Sequence, residues 1–237
     1  MQLFYLPNLS IEDKIADFNK DESKHLYKVL RKSPGDKINI TNGKNVLFKG
    51  TISSISKNNC QVSIQETIKQ KPLPYSLHIG ISLLKSNERF EWFLEKASEI
   101  GVTEITPLIC DRTEKKFINE NRLKKILISG MKQSIKTHFP KLNAVCSLKN
   151  FLKGELNDQL FIAHCNDSEK KPLLKLIKPK SDYLILIGPE GDFTKKELEL
   201  AINKGFLSIR IGPRILRTET APISILSILQ YKYGDIV

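Results

Sequence analysis

Apolar residues recur along this chain with two different periods, and the change of period divides it. In the first third the runs are short and rich in β-branched residues: "KINIT" (37–41), "NVLFKGTISSI" (45–55) and "CQVSIQET" (60–67). Gly35, Asn42-Gly43 and Asn58-Asn59 punctuate them, the pattern of strands joined by tight turns. These runs predict a small β-barrel. One helical stretch interrupts them, "SKHLYKVLRK" (23–32). Leu26, Val29 and Leu30 share one face, and Lys24, Lys28, Arg31 and Lys32 occupy the rest. "KQKPLP" (69–74) has two prolines, two lysines and no period, so it marks a boundary between domains 1–72 and 73–237.

Beyond that boundary strands and helices alternate. "SLHIGIS", "VTEITPLI", "QLFIAHC", "DYLILIG" and "FLSIRIG" read as strands. "NERFEWFLEKASEIG" reads as a helix with Phe90, Phe93, Leu94, Ala97 and Ile100 on one stripe and Gly101 at its end. A second helix, "NRLKKILISGMKQSIKT", turns Leu123, Ile126, Leu127, Met131 and Ile135 inward. "KPLLKLI", "TKKELELAINKG" and the apolar "APISILSILQYKY" complete the set, and Thr194 with Glu197 predicts a capping box. Such alternation means an α/β domain with a mostly parallel sheet covered by helices.

Charge adds a partner class. The net charge is +12, from 38 basic and 26 acidic residues. It is spread over both domains, with 12 basic against 7 acidic residues up to position 72. An excess of this size favours a polyanion, nucleic acid first, although a lysine-rich soluble surface has the same composition. Cys60, Cys110, Cys146 and Cys165 are scattered with no C-x-x-C pair, and the four histidines form no H-E-x-x-H. No metal is therefore expected. The first residues, "MQLFYLPNLS", lack a basic stretch followed by a long apolar one, and no apolar run reaches the roughly 20 residues that cross a bilayer. The expectation is a cytoplasmic protein with no membrane partner.

Ligands in parallel sheets bind at the carboxyl ends of strands. Three strand ends stand out: "FIAHCND" (161–167), "LIGPEGDFT" (186–194) and "RIGPRILRTETA" (210–221). The last two place Gly-Pro directly after a buried strand. "GPEGDF" is neither a dinucleotide fingerprint nor a P-loop, so neither cofactor class is indicated.

In order along the chain come "KHLYKVLR" with a following Gly-Asp, "LLKSNERFEWFLEKASEIGVTEITPL", "KQS", "IGPEGDFTKKE" and "IGPRILRTETA". Together they resemble the family of 16S ribosomal RNA uridine-N3 methyltransferases, the ribosomal RNA small subunit methyltransferase E family of the SPOUT class. The resemblance covers nearly the whole chain. It implies a PUA-like RNA-binding β-barrel at 1–72, a trefoil-knotted methyltransferase domain at 73–237, a homodimer, and S-adenosylmethionine as methyl donor. The substrate it implies is uridine N3 in 16S rRNA of the small ribosomal subunit. The implied cofactor residues are His164 on the first marked strand end and Leu186, Gly188, Pro189, Glu190 and Gly191 on the second. On the third they are Ile211, Gly212, Ile215, Leu216, Thr220 and Ala221. Arg217 and Glu219 are the catalytic candidates. Arg217 is set either against the charge on the uracil carbonyls or in a salt bridge to Glu219 or a phosphate. Glu219 is set either as the base or as a charge favouring a helix N-terminus. RNA would meet Lys24, His25, Lys28, Arg31 and Lys32, then Arg112, Lys136 and Arg214. Lys115, Lys116, Arg122 and Lys125 widen the second basic surface.

The chain departs from the family pattern at three places. Asp192 stands where a second Gly is usual, Pro222-Ile223-Ser224 replaces small residues, and Ile135-Lys136 follows "KQS" where an Arg is common. A SPOUT enzyme acting on another atom, or a noncatalytic RNA-binding relative, would share these loops.

Overall fold

The computed structural model describes residues 2–156 and 159–234. The chain forms two compact units, Met1–Pro72 with Met131–Phe139, and Leu73–Gly130 with Pro140–Val237.

The first unit contains β1 (Leu3–Tyr5), β2 (Ile15–Phe18), α1 (Lys20–Lys24), β3 (Lys37–Thr41), β4 (Val46–Ile55) and β5 (Cys60–Lys69). The strands form one sheet in the order β1-β3-β4-β5-β2. β1 runs parallel to β3 and the other pairs are antiparallel. Alternation puts Ile38 and Ile40 of β3, and Cys60 and Val62 of β5, into a core with Phe4, Phe18, Leu26 and Phe48. Register shifts at Lys49/Gly50 and Ile52/Ser54 bend the long β4–β5 pair.

Residues 131–139 complete this unit. The Thr137 carbonyl accepts the Asn45 N–H at 2.9 Å and the Thr41 hydroxyl at 3.2 Å, and the Phe139 N–H donates to the Gly43 carbonyl at 2.9 Å. Phe139 stacks on Tyr5 with centroids 5.5 Å apart. Lys132 pairs with Glu22 at 3.0 Å and lies over the Phe4 ring.

The helix expected at 23–32 is divided. α1 begins at the Asn19 cap, whose side chain accepts the Glu22 N–H, and ends at Lys24. A single wider turn follows over His25–Val29, with the Leu30 N–H bonded to the His25 carbonyl five residues back. That turn rotates Val29 away from Leu26: Leu26 is buried, whereas Val29 is 66% exposed. Arg31, at φ 52°, ends the run.

The second unit holds β6 (Ser76–Ser82), α2 (Asn87–Ile100), β7 (Glu104–Ile109) and most of α3 (Glu120–Gln133). Then come β8 (Lys141–Leu142), β9 (Cys146–Ser147), α4 (Leu148–Phe151), β10 (Gln159–Ala163), β11 (Lys171–Pro172) and α5 (Leu173–Leu176). β12 (Asp182–Ile187), α6 (Lys195–Asn203), β13 (Leu207–Arg210) and α7 (Thr220–Tyr233) close the list. The sheet runs β11-β13-β10-β12-β6-β7-β8, with β9 also on β7, and every pair is parallel. β12 is central, and its continuous apolar run Tyr183–Ile187 is buried, as a strand covered on both faces requires. Phe90, Phe93, Leu94 and Ala97 of α2 are buried, and Gly101 ends the helix at φ 118°, a left-handed angle that glycine adopts without strain. The Thr194–Glu197 capping box starts α6. Ile135 does not turn inward: α3 stops at Gln133, and Ile135 sits at φ 57° and 37% exposed, out of the helical register. Among the described residues no helix is long and apolar enough to cross a membrane, and no group of three or more His, Cys, Asp or Glu is placed to hold a metal.

Candidate active site

β10 lies between β12 and β13, and the last residue of β10 is in register with both neighbours: Ala163 pairs with Ile187 and with Ile209. Three parallel strands ending level deliver their following loops to one edge of the sheet. The loops are 164–167, 188–194 and 211–219. They bound a cavity of about 560 Å³.

Specific bonds hold these loops together. The buried Thr218 hydroxyl donates to the Gly188 carbonyl at 3.0 Å, tying the third loop to the second. Gly188 leaves room there: a Cβ would stand 3.0 Å from the Phe193 ring, which would have to shift by a few tenths of an ångström. The Cys165 N–H donates to Asp192 Oδ2 at 2.9 Å, tying the first loop to the second. Asp192 reaches that position at φ 61°, after a turn closed by its own N–H on the Pro189 carbonyl at 2.9 Å. A glycine would adopt this positive φ without strain, and Asp is among the few other residues that tolerate it. Glu190 Oε1 accepts the Lys85 N–H at 3.2 Å, and Glu219 Oε1 lies 3.7 Å from Arg89 Nε.

Most residues expected at the cofactor site line this one cavity: His164, Gly188, Pro189, Glu190, Ile211, Gly212, Ile215, Leu216 and Ala221. Arg214, Arg217 and Glu219 line it as well. Three expected residues lie outside the lining. Leu186 is fully buried in the core with Ile162, Leu184 and Phe193. The Gly191 carbonyl accepts from Arg112 Nη1 at 2.6 Å. Thr220 is in the first turn of α7, where its carbonyl accepts the Ser224 hydroxyl. Arg112 therefore braces the second loop from outside. Glu219 stands at the cap position of α7 without a side-chain capping bond, and its ion pair is with Arg89, not Arg217.

Lys115, Lys116, Arg122 and Lys125 belong to the second unit, and the remaining basic candidates to the first. Lys24, His25, Lys28 and Arg31 are exposed along α1 and the wide turn. Lys32 is half-buried, 4.0 Å from Asp36, and burial holds the half-buried Lys136 below its ordinary pKa. Sequence reasoning missed Arg89 and Lys170 as parts of the cavity wall, while Cys165, Asp192 and Thr218 lie within the marked strand-end loops. No periodicity marks such residues, because strand order, not spacing, brings them together.

His164 is buried, its Nε2 is 2.9 Å from the Ser208 hydroxyl, and its buried Nδ1 has no hydrogen-bond partner among the described residues. Burial, reinforced by Lys170 and opposed by Asp192, lowers its pKa. Burial, with Asp192 beside it, raises that of Cys165. A second cavity, about 630 Å³, runs along the start of α2 and shares no lining residue with the first. Two cations on its wall are satisfied locally, Arg122 by Glu91 and Lys115 by Asn87.

The RNA methyltransferase domain family matches residues 71–230, and the RNA methyltransferase PUA domain family matches 18–65. The ribosomal RNA small subunit methyltransferase E of Buchnera aphidicola subsp. Acyrthosiphon pisum is 33% identical over 97% of this chain and 95% of its own length. The crystal structure of a probable rRNA-methyltransferase from Porphyromonas gingivalis superposes with a TM-score of 0.90 at 32% identity, covering 100% of both chains. A ribosomal RNA small subunit methyltransferase E from Neisseria gonorrhoeae, bound to S-adenosyl methionine, gives 0.87 at 28% identity, again over 100% of both. The PUA domain, the parallel-sheet unit and the level strand ends agree with these matches along the whole chain, which belongs to the ribosomal RNA small subunit methyltransferase E family.

Proposed function

We propose that this protein methylates N3 of a uridine in 16S rRNA of the small ribosomal subunit, with S-adenosylmethionine as donor. The reading rests above all on one observation: a single cavity, bounded by three level strand ends, is lined by Arg217 and Glu219 together. The cavity suits the donor. Its volume falls within the roughly 300–1,000 Å³ of small-molecule sites. Ile187, Ile209 and Leu216 offer apolar surface, and Glu190 offers negative charge to a sulfonium. His164 Nδ1, without a hydrogen-bond partner among the described residues, offers a further polar atom. When bound, S-adenosylmethionine supplies an electrophilic methyl group.

The remaining work falls to the chain's own residues. Uracil N3 carries a proton and is a poor nucleophile. Glu219 accepts that proton and leaves the electron pair on N3. Arg217, exposed and outside the Arg89–Glu219 ion pair, stabilises the charge that spreads to the uracil carbonyl oxygens. Arg214 contacts a phosphate. Alignment of N3 with the methyl group supplies much of the rate. In this reading the exposed cations of the first unit, Lys24, His25, Lys28 and Arg31, hold RNA. The protein acts as a cytoplasmic homodimer, with the apolar α7 contributing to the partner face, and its methyltransferase domain is knotted like others of its class.

The test is incubation with unmodified small subunits and labelled donor, followed by nucleoside mapping. The expected product is 3-methyluridine, and Arg217→Ala is expected to lower kcat by about 100-fold or more while the protein stays folded. A different methylated nucleoside, or normal turnover in Arg217→Ala, refutes the reading.

A further inference from the structure

Arg89 breaks a local rule. α2 begins at the Ser86 cap, whose hydroxyl oxygen accepts the Arg89 N–H at 3.3 Å, so Arg89 holds the third helical position. A Glu or Gln there would reach back to the cap N–H and close a capping box. A negative charge would also suit the positive end of the helix. An arginine gives up both advantages, although the same protein builds the full box at Thr194 and Glu197. Departures from local preference concentrate at functional sites.

The geometry supplies the reason. α2 packs against α7. Arg89 Nε lies 3.7 Å from Oε1 of Glu219, a carboxylate only 7% exposed at the start of α7. Both residues line the cavity. Four residues earlier the Lys85 N–H grips Glu190. The stretch from Lys85 to Arg89 therefore contacts a carboxylate from each of the two loops that begin with Gly-Pro. Arg89 at its end adds a fourth wall to a site otherwise built from strand ends.

We infer that Arg89 is a positioning residue for Glu219: its guanidinium fixes the carboxylate in the orientation that faces the substrate. The inference rests on Glu219 acting as the base. The Glu219 carboxylate makes no capping bond, and among the described residues Arg89 is the ion-pair partner that can fix its rotamer.

Steady-state methyl transfer on unmodified small subunits tests this, with full-length Arg89→Ala, Arg89→Lys, Glu219→Gln and the Arg89→Ala/Glu219→Gln double variant. Arg89→Ala is expected to lower kcat on the order of 100-fold, since small misplacements of a reacting group cost that much. The KM for RNA and the calorimetric affinity for S-adenosylmethionine stay unchanged. Arg89→Lys, which keeps the charge, recovers part of the rate, and the double variant is no slower than Glu219→Gln alone. A raised KM with normal kcat would make Arg89 a phosphate contact and overturn the inference. Loss of donor affinity, or losses that multiply in the double variant, would do the same. Failure of the functional reading is seen separately, in the product made by the unaltered protein.

Discussion

Replacing Asp192 separates two contributions that the structure combines in one residue. The first is conformational. At φ 61° the residue is left-handed, which costs an ordinary L-residue about 1–2 kcal/mol, Asp and Asn less, and glycine nothing. The second is the bond from the Cys165 N–H to Oδ2 at 2.9 Å. A hydrogen bond to a charged acceptor contributes about 1.5–3 kcal/mol, and partial exposure of Asp192 argues for the low end. Asp192→Asn keeps the backbone tolerance and a neutral acceptor, and loses about 0.5–1 kcal/mol. Asp192→Gly loses the bond but suits the backbone, a net loss of about 1.5 kcal/mol. Asp192→Ala loses the bond and carries the left-handed strain in full, about 2.5 kcal/mol, because alanine at positive φ costs about 1 kcal/mol more than glycine. For a chain of this size 1 kcal/mol moves the melting temperature by about 2–4 °C. Thermal unfolding followed by circular dichroism should therefore rank the variants Asn, Gly, Ala in order of increasing loss, with Ala down by about 5–10 °C. Donor affinity should follow the same order, because the bond holds two walls of the cavity in place before binding. Equal stability of Gly and Ala would refute the left-handed geometry. Wild-type stability in all three would refute the tie between the loops.

Two further outcomes are expected. Gly212→Ala adds a Cβ with no heavy atom within 4 Å; its melting temperature should be unchanged while donor affinity falls about tenfold or more, a loss of about 1.4 kcal/mol, and unchanged affinity would show that no ligand approaches that Cα. Burial lowers the pKa of His164 below its ordinary 6.5, so the unfolded chain binds the proton first; its contribution is fully present above pH 6.5 and is lost as pH falls toward the folded value, and His164→Gln should flatten that part of the stability profile, which a pH series of thermal melts reads.

The pattern of the chain revealed local structure well wherever the cause is local. The Thr194–Glu197 box, the glycine end of α2 and the unbroken apolar run of β12 are each decided within a few residues. The three strand ends could be marked because Gly-Pro after a buried strand has its own backbone logic. Their convergence could not, since it depends on β10 lying between β12 and β13, a fact of strand order. Val29 and Ile135 show the opposite failure. Each continues a helical stripe in sequence, and each is turned out by a change of backbone state, a wide turn in one case and a left-handed residue in the other. Arg89 left a legible trace, the wrong charge at a capping position, but its partner Glu219 lies 130 positions away. Leu186, taken from a motif as a ligand contact, follows the strand's alternation into the core.

The return of residues 131–139 to the first unit also sets a schedule for synthesis. A ribosome that has released residue 72 has not yet made the segment that pairs with Gly43 and Asn45. At about 5–20 residues per second, the next 67 residues take roughly 3–13 s. During that interval the amide of Asn45 and the carbonyl of Gly43 form an open edge, and the Tyr5 ring lacks its stacking partner. The first unit thus begins to emerge first but is finished late. Chaperone dependence and truncation sensitivity should track residue 139, not residue 72.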